Sequence, residues 1–428
     1  MKVDITEYGA VVADSLQTEK IQKAIDDCFL SGGGEVIVPC GVFRTGGLRL
    51  RSNVTLHLLT GAILEGSENC EDYMAYLNDT IEPIEYNPDF TESSSVYPYS
   101  RWNNGLIKIV NAENVSIIGE PGSYIDGMNC YDSSGEENYR GPHAINIQNS
   151  ENITLRGYTI KNSANWAHAI FKTRDITVQN VTVYAGHDGI DVRCCDNILI
   201  EDCTFITGDD GVAGFDNINM IVRNCYFNLA CNAFRLGGTD ILIENCKGDG
   251  AARFGFRGSM PPHRKVLGLQ TDENSLRRMW AVFIYYCDFR AKIRRTPGNI
   301  VVRNCEFEGS KEFFCLPYGG KWCCNRCLRS IKFENCKVNG INTALFVQAD
   351  PEEKITLEFE NCEVSAQEGF EDMAFMSIRH FDKLSLKNVK LVNFNNPRIE
   401  AYTDGEIEIE NTDIKVDKIK ETNIEGIK

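Results

Sequence analysis

"RDITVQNVTV" at 174–183, "DNILIEDCTF" at 196–205 and "INMIVRNCYF" at 218–227 are one phrase written three times, with starts 22 residues apart. Each copy alternates apolar and polar residues, pauses at Asn or Asp, and resumes as a second short alternating run. Period-two alternation sends one face of a strand inward and the other outward. A unit this short cannot bury its apolar face alone, so stacked copies must bury it for one another. Outward from these three, the phrase recurs as "ENITLRGYTI" (151–160), "TDILIENCKG" (239–248), "GNIVVRNCEF" (298–307) and "RSIKFENCKV" (329–338). Looser copies begin at 52, 113, 353, 382 and 405. The pattern predicts an all-β solenoid, a right-handed parallel β-helix of about ten coils, spanning residues 1–428 as a single domain.

Two registers run through the copies. Asn180, Asp202, Asn224 and Asn245 share one, and Val181, Cys203, Cys225 and Cys246 share the next. The first reads as a turn ladder and the second as a stack of small core side chains. Open solenoid ends need covers. Residues 15–34 place Ile21, Ala24, Ile25 and Cys28 at helical spacing before a run of glycines, which predicts a capping helix. The polar tail from Lys415 is expected to fray. Two spans lose the beat, 69–105 and 247–297, and are expected to project as loops near a cleft.

The net charge of -17 disfavours nucleic acid and anionic membranes as partners. No stretch approaches the roughly 18 apolar residues of a membrane span. The opening "MKVDITEYGAVVADSLQ" lacks the apolar core of a signal peptide, so a cytoplasmic location with mostly reduced cysteines is expected for the 18 Cys.

Asp188 is followed by Asp209 and Asp210, 21 and 22 residues later. One repeat advances a parallel strand by one interstrand spacing, about 4.8 Å. The three carboxylates therefore share one patch, and like charges that close raise at least one pKa. Two chemistries want such a patch: a divalent cation held by oxygen ligands, or an acid and a base working across a glycosidic bond. An acidic turn ladder is the structural alternative.

Beyond the repeat, the chain resembles glycoside hydrolase family 28, the polygalacturonase family, over nearly all its length. Its opening follows the family's "FGA…IQ.AID.C…GGG.V.VP.G" pattern, and "YIDG" (124–127), "RGP" (140–142) and "KNSANWAHAI" (161–170) come in family order. The family's Asn-Thr-Asp-Gly motif appears as Gly186-His187-Asp188-Gly189, and its paired aspartates appear as Asp209 and Asp210. The resemblance implies Asp209 as general acid, Asp188 and Asp210 as the pair that holds and activates water, inversion at the anomeric centre, and no cofactor or catalytic metal. Spacing alone would suggest the shorter separation of retaining enzymes.

The departures bear on the substrate. The family's Gly-His-Gly segment is "CNAFRLGG" (231–238) here. Matching the glycines places Asn232 at the histidine, and simple counting places Cys231 there. His187 enters beside Asp188 as a substitute, or as a polar turn residue. The Arg-Ile-Lys motif becomes "FGFRGS" (254–259), with Arg257 at the arginine and Ser259 at the lysine. Arg235, Arg253, Arg257, Arg264 and Lys265 remain as cations for a uronate carboxylate, or as solvated loop charge. His168 either lines a subsite or packs against the next coil. Trp102, Tyr97 and Tyr99 either wall a sugar or form their loop's own core. Cys315, Cys323, Cys324 and Cys327 offer either a zinc knuckle or free thiols.

The sequence thus points to an inverting glycosidase acting on α-linked, galacturonate-containing oligosaccharides of pectin. The span 69–105 and the leaderless start suggest attack on the ends of imported oligosaccharides. Alternatives are a hydrolase of rhamnose-containing, neutral or sulfated glycans, a lyase or epimerase, and a non-catalytic carbohydrate-binding solenoid. The oligomeric state is not legible in the sequence.

Overall fold

The computed structural model describes residues 1–80, 100–257, 277–287, 292–317 and 326–419. Each coil contributes three strands. One coil supplies His168–Phe171, Arg174–Gln179 and Thr182–Ala185, and the next Ile190–Arg193, Asp196–Glu201 and Thr204–Thr207. The strands of these coils pair in parallel with their counterparts one coil on, as in Ile170↔Val192, Ile176↔Ile198 and Val183↔Phe205. The result is a parallel β-helix, with the right-handed crossover that parallel connections favour. Its third ladder carries twelve strands, from Gly41–Thr45 to Lys390–Val392, so the solenoid is longer than the ten coils the repeats suggest.

Inward residues stack on themselves. Ile176, Ile198, Met220, Ile241, Ile300, Ile331 and Leu357 form one buried column through successive coils. Burying each such side chain contributes roughly 1.5–3 kcal/mol relative to leaving it exposed. The Asn register is a turn ladder. Asn224, Asn245, Asn304 and Asn335 hold φ of 52–55°. This left-handed conformation is one that Asn tolerates better than most residues. Each amide donates to the one before it: Asn224 to Asp202, Asn245 to Asn224, Asn304 to Asn245, Asn335 to Asn304. Cys203, Cys225 and Cys246 lie buried beside it as free thiols.

The first coil is sealed by the helix Thr18–Leu30, which buries Ile21, Ala24, Ile25 and Cys28. Gln22 adds a polar seal. Its amide accepts from Arg49 N at 2.8 Å and donates to Arg49 O at 3.0 Å, occupying backbone groups that an open edge would expose. The start of the tail, Lys415–Lys418, is a strand paired in parallel with Arg398–Ala401, and residues 420–428 lie outside the described residues.

The second irregular span is narrower than the sequence suggests, and a further one appears. Lys247–Asp249 and Ala281–Tyr285, inside the span 247–297, are ordinary coil strands. Residues 127–142, unremarked as an insertion, leave the coil between Tyr124–Asp126 and His143–Gln148. Three excursions, 67–104, 127–142 and 250–280, all leave between a third-ladder strand and the next first-ladder strand. That is also the corner at which Gly186–Gly189 and Gly208–Gly211 turn.

Candidate active site

Two glycines bring the acids to this corner. A Cβ at Gly189 would lie 2.5 Å from the Phe205 ring, and one at Gly211 would lie 2.5 Å from the Phe227 ring. Only glycine lets the chain turn so tightly over the aromatic core, and Asp188 and Asp210 ride on these turns. Gly189 N donates to Asp210 O, and Gly211 N donates to Asn232 O, both at 2.9 Å. By that register Asp188, Asp210 and Asn232 form one column, and His187, Asp209 and Cys231 form its neighbour. The structure thus brings the three aspartates together and buries them, at 2 %, 7 % and 2 % exposure.

Burial, then the charges of Asp209 and Asp210, holds the Asp188 carboxyl well above the usual carboxylate range. Burial, then Asp210, pushes Asp209 up to about 6, against the pull of Arg257 and Arg140. Asp210 is the most tightly held of the three. It accepts from Asn232 N (3.1 Å), from Asn232 Nδ2 (2.7 Å) and from Arg235 Nε.

Arg235, a candidate ligand for a substrate carboxylate, is engaged by the protein through Nε and Nη2, while its Nη1 has no hydrogen-bond partner among the described residues. Nη2 donates to Asp188 and to Asp191, each at 3.3 Å, while Nε takes Asp210. The ring of Tyr286 lies 4.4 Å from its Cζ. Asp191 in turn holds Arg193 through both carboxylate oxygens, at 2.7 and 3.0 Å. Asp191 and Arg193 went unnoticed in the sequence.

Asp209 faces a second basic group. Arg140 Nη2 and Arg257 Nε each lie 3.9 Å from its Oδ2. Arg257 Nη1 donates to Glu137 at 2.7 Å, and Arg140 lies 3.4 Å from the same carboxylate. Burial raises the Glu137 pKa, but the two arginines outweigh it and lower it. Burial lifts Glu136, beside Arg140, to about 7. Arg140, Glu136 and Glu137 come from the excursion 127–142. The Arg-Gly-Pro run was their only signal in the sequence.

The remaining candidates divide. Asn232 joins the site, holding Asp210. His187 is buried beside it, 5.9 Å from the Tyr139 ring between centroids. Burial, then Arg140 and Arg257, drives its pKa well below the usual imidazole range, so it acts there as a neutral ring. His168 is not in the cleft. It is fully buried, in a column with Ile145 and Ile190, with Nδ1 on Gly189 O and Nε2 on Tyr158 OH, both at 3.0 Å. Arg253 is exposed and lies 5.4 Å over the Tyr184 ring, apart from the acids. Trp102 is buried edge-on to Trp166 at 4.6 Å, which makes it loop core rather than a sugar wall. Tyr97, Tyr99, Ser259, Arg264, Lys265, Cys323 and Cys324 lie outside the described residues, so of the four knuckle cysteines the structure describes Cys315 and the buried Cys327.

Ligand atoms of Asp209, Asp210 and Cys231 lie within 4.8 Å of one another, a spacing a metal would accept. The donor set argues for other chemistry. Arg235, Arg140 and Arg257 already supply the positive charge that a cation would bring. What remains is two buried carboxyls with raised pKa, Asp188 and Asp209, around Asp210, which an arginine holds, an arrangement that can give a proton to one atom and take one from another.

The family model for Glycosyl hydrolases family 28 matches residues 48–229, a span that contains all three aspartates but ends before Asn232, Arg235 and Arg257. The chain is 26% identical over 373 residues to an exo-poly-alpha-D-galacturonosidase of Dickeya chrysanthemi, covering 71% of this chain and 60% of that protein. It is 28% identical over 221 residues to a probable polygalacturonase of Vitis vinifera, covering 49% of this chain and 43% of that one. It therefore spans less than two thirds of either relative. The fold matches a family 28 exopolygalacturonase of Yersinia enterocolitica at a TM-score of 0.65 and 17% identity, over 97% of this chain and 78% of that one. It also matches an exopolygalacturonase of Thermotoga maritima at 0.64 and 17%, over 92% of both chains. The part of the chain that carries the three aspartates is thus similar to glycosyl hydrolase family 28 and to polygalacturonases, while Asn232, Arg235 and Arg257 lie beyond the family match.

Proposed function

We propose that the protein is an inverting glycoside hydrolase that removes sugar from the ends of α-linked, galacturonate-containing oligosaccharides. One observation carries the reading: three buried carboxyls share one patch, two of them, Asp188 and Asp209, held above the usual carboxylate range, and one arginine joins Asp188 to Asp210 while Asp209 faces Arg140 and Arg257. Asp209 protonates the glycosidic oxygen. Asp188 and Asp210 orient a water and take its proton as it attacks the anomeric carbon from the opposite face. Oxygens of Asp209 and Asp210 lie within 4.8 Å, shorter than inverting pairs usually show. Inversion therefore rests on the Asp188–Asp210 pair holding the water.

The names of the relatives support a galacturonan substrate, and exo action follows their naming and the excursion 67–104 at the cleft corner. A reducing compartment such as the cytoplasm suits the free thiols of the described cysteines. Among the described residues no helix is long and apolar enough to cross a membrane.

The test is incubation with oligogalacturonides, rhamnogalacturonan fragments and neutral α-linked oligosaccharides, with Asp209→Asn as control. Release of monosaccharide from the acidic oligomers, absent in the variant, is the expected result. The anomer seen first by proton NMR reports inversion. Release from neutral or rhamnose-containing glycans alone would replace the substrate, and an unsaturated product absorbing in the ultraviolet would replace the reaction.

A further inference from the structure

The column that contains Asp209 does not end at the acids. Trp280 N donates to Cys231 O at 2.7 Å, and Glu312 N donates to Trp280 O at 2.9 Å. The strand register continues it, pairing Asn232 with Ala281 and Ala281 with Glu312. Asp209, Cys231, Trp280 and Lys311 therefore follow one another coil by coil. Trp280 lies two coils past Asp209, about 10 Å along the solenoid. The small buried thiol of Cys231 separates them.

Trp280 is unusual for its place. A large indole beside a buried polar site normally joins the core, but this one is 40 % exposed. It is backed by Phe256 with ring centroids 4.8 Å apart, and Phe256 precedes the Arg257 that faces Asp209. The Lys311 ammonium lies 5.6 Å from the Trp280 ring. Lys311 makes no ion pair with any carboxylate among the described residues, in a chain of net charge -17. Beside it, Arg278 donates only to neutral groups: the carbonyls of Gly309, Ser310 and Gly340, and Gln367 Oε1. Burial, then Arg278, lowers the Lys311 pKa, so an anion is what this ammonium lacks.

We propose that Trp280 and Lys311 form a subsite for an acidic sugar residue beyond the scissile bond. Trp280 is the floor on which the ring stacks, and Lys311 binds its carboxylate. The proposal rests on the hydrolase reading and adds to it the residues that choose an acidic sugar. The other cations near the acids are committed, Arg235 to three aspartates and Arg257 and Arg140 to Glu137 and Asp209. Among the described residues Lys311 is a further cation, without an ion pair to a carboxylate, offered from a different coil than the family lysine whose place Ser259 takes in the sequence.

The experiment is titration calorimetry of the full chain carrying Asp209→Asn, with trigalacturonate and with its neutral analogue, whose carboxyls are replaced by hydroxymethyl groups. Lys311→Met in that background is expected to weaken trigalacturonate about tenfold or more. It leaves the neutral analogue unchanged, and Lys311→Arg retains most of the affinity. Trp280→Ala is expected to weaken both ligands by up to about tenfold. Equal Tm values for all variants show that folding is not the cause. Lys311→Met with unchanged trigalacturonate affinity, or with equal losses for both ligands, overturns the subsite. If that happens while the parent protein still cleaves oligogalacturonides, the subsite falls alone. If the parent neither binds nor cleaves them, the hydrolase reading falls with it.

Discussion

Arg235 reaches Asp191 across two coils, and only because Ala213 stands between them. The register Asp191↔Ala213↔Arg235 puts a methyl group where any longer side chain would block the 3.3 Å contact. The same guanidinium then ties Asp188 to Asp210, so one residue sets the geometry of the water-activating pair. Arg235→Met leaves three buried carboxylates facing one another without their cation. It is expected to lower stability by about 3–5 kcal/mol. In the folded fraction it should lower kcat about a hundredfold through misplacement of the acids, with KM little changed. A rise in KM alone would return Arg235 to the role of substrate ligand.

The raised Asp209 carboxyl predicts a pH dependence with a definite sign. Its native pKa of about 6 exceeds the unfolded value of about 3.9, so the native state binds the proton more tightly. The Asp209 contribution to stability falls as pH rises from about 4 to about 6, a loss of about 3 kcal/mol. Asp209→Asn should raise Tm at pH 7.5 and change it little at pH 4. The parent activity should decline above pH 6 as the acid group loses its proton, a limb that belongs to the three carboxylates together. Melting curves and kcat/KM profiles across pH 4–8 check both.

His168 is assigned to the core, and the assignment is testable. His168→Ala removes the partners of Tyr158 OH and Gly189 O and leaves a cavity. A loss of about 3 kcal/mol in stability is expected, with KM unchanged for the folded protein. A changed KM at unchanged Tm would place this histidine at the substrate instead.

The Asn ladder offers a separation of backbone strain from hydrogen bonding. Asn335→Ala must hold φ near +52° with an ordinary Cβ and is expected to cost about 1–2 kcal/mol. Asn335→Gly takes the same φ freely and loses only the exposed amide contacts to Asn304 and Asn361, so it should cost less. Denaturant midpoints of the two variants decide between them.

The repeating parts of this molecule were legible in the sequence because they are local. The phrase predicts parallel stacking, and the 22-residue beat places Asp188 beside Asp210. The register also contained more than the motif reading took from it. Aligning "HAIF" (168–171) with "IDVR" (190–193) puts His168 over Ile190, an inward position, and Ala169 over Asp191, an outward one. The partners of Asp209 were hidden for a different reason. Arg257 meets Glu137 across 120 residues of sequence, between two excursions that have no period of their own. Arg235 was noticed as a cation, but its commitment depends on three aspartates converging from two earlier coils.

The turn ladder passes straight from Asn245 to Asn304, although 59 residues separate them. The spine does not register the excursion that departs and returns between those two rungs. Together with the excursions at 67–104 and 127–142, which leave by the same corner, this makes the wall of the cleft a set of exchangeable cassettes. Evolution, or an engineer, can lengthen or replace such a cassette and so alter which glycan is held, provided the few residues that face Asp209 or enter the core, Arg140, Arg257 and Trp102 among them, are kept.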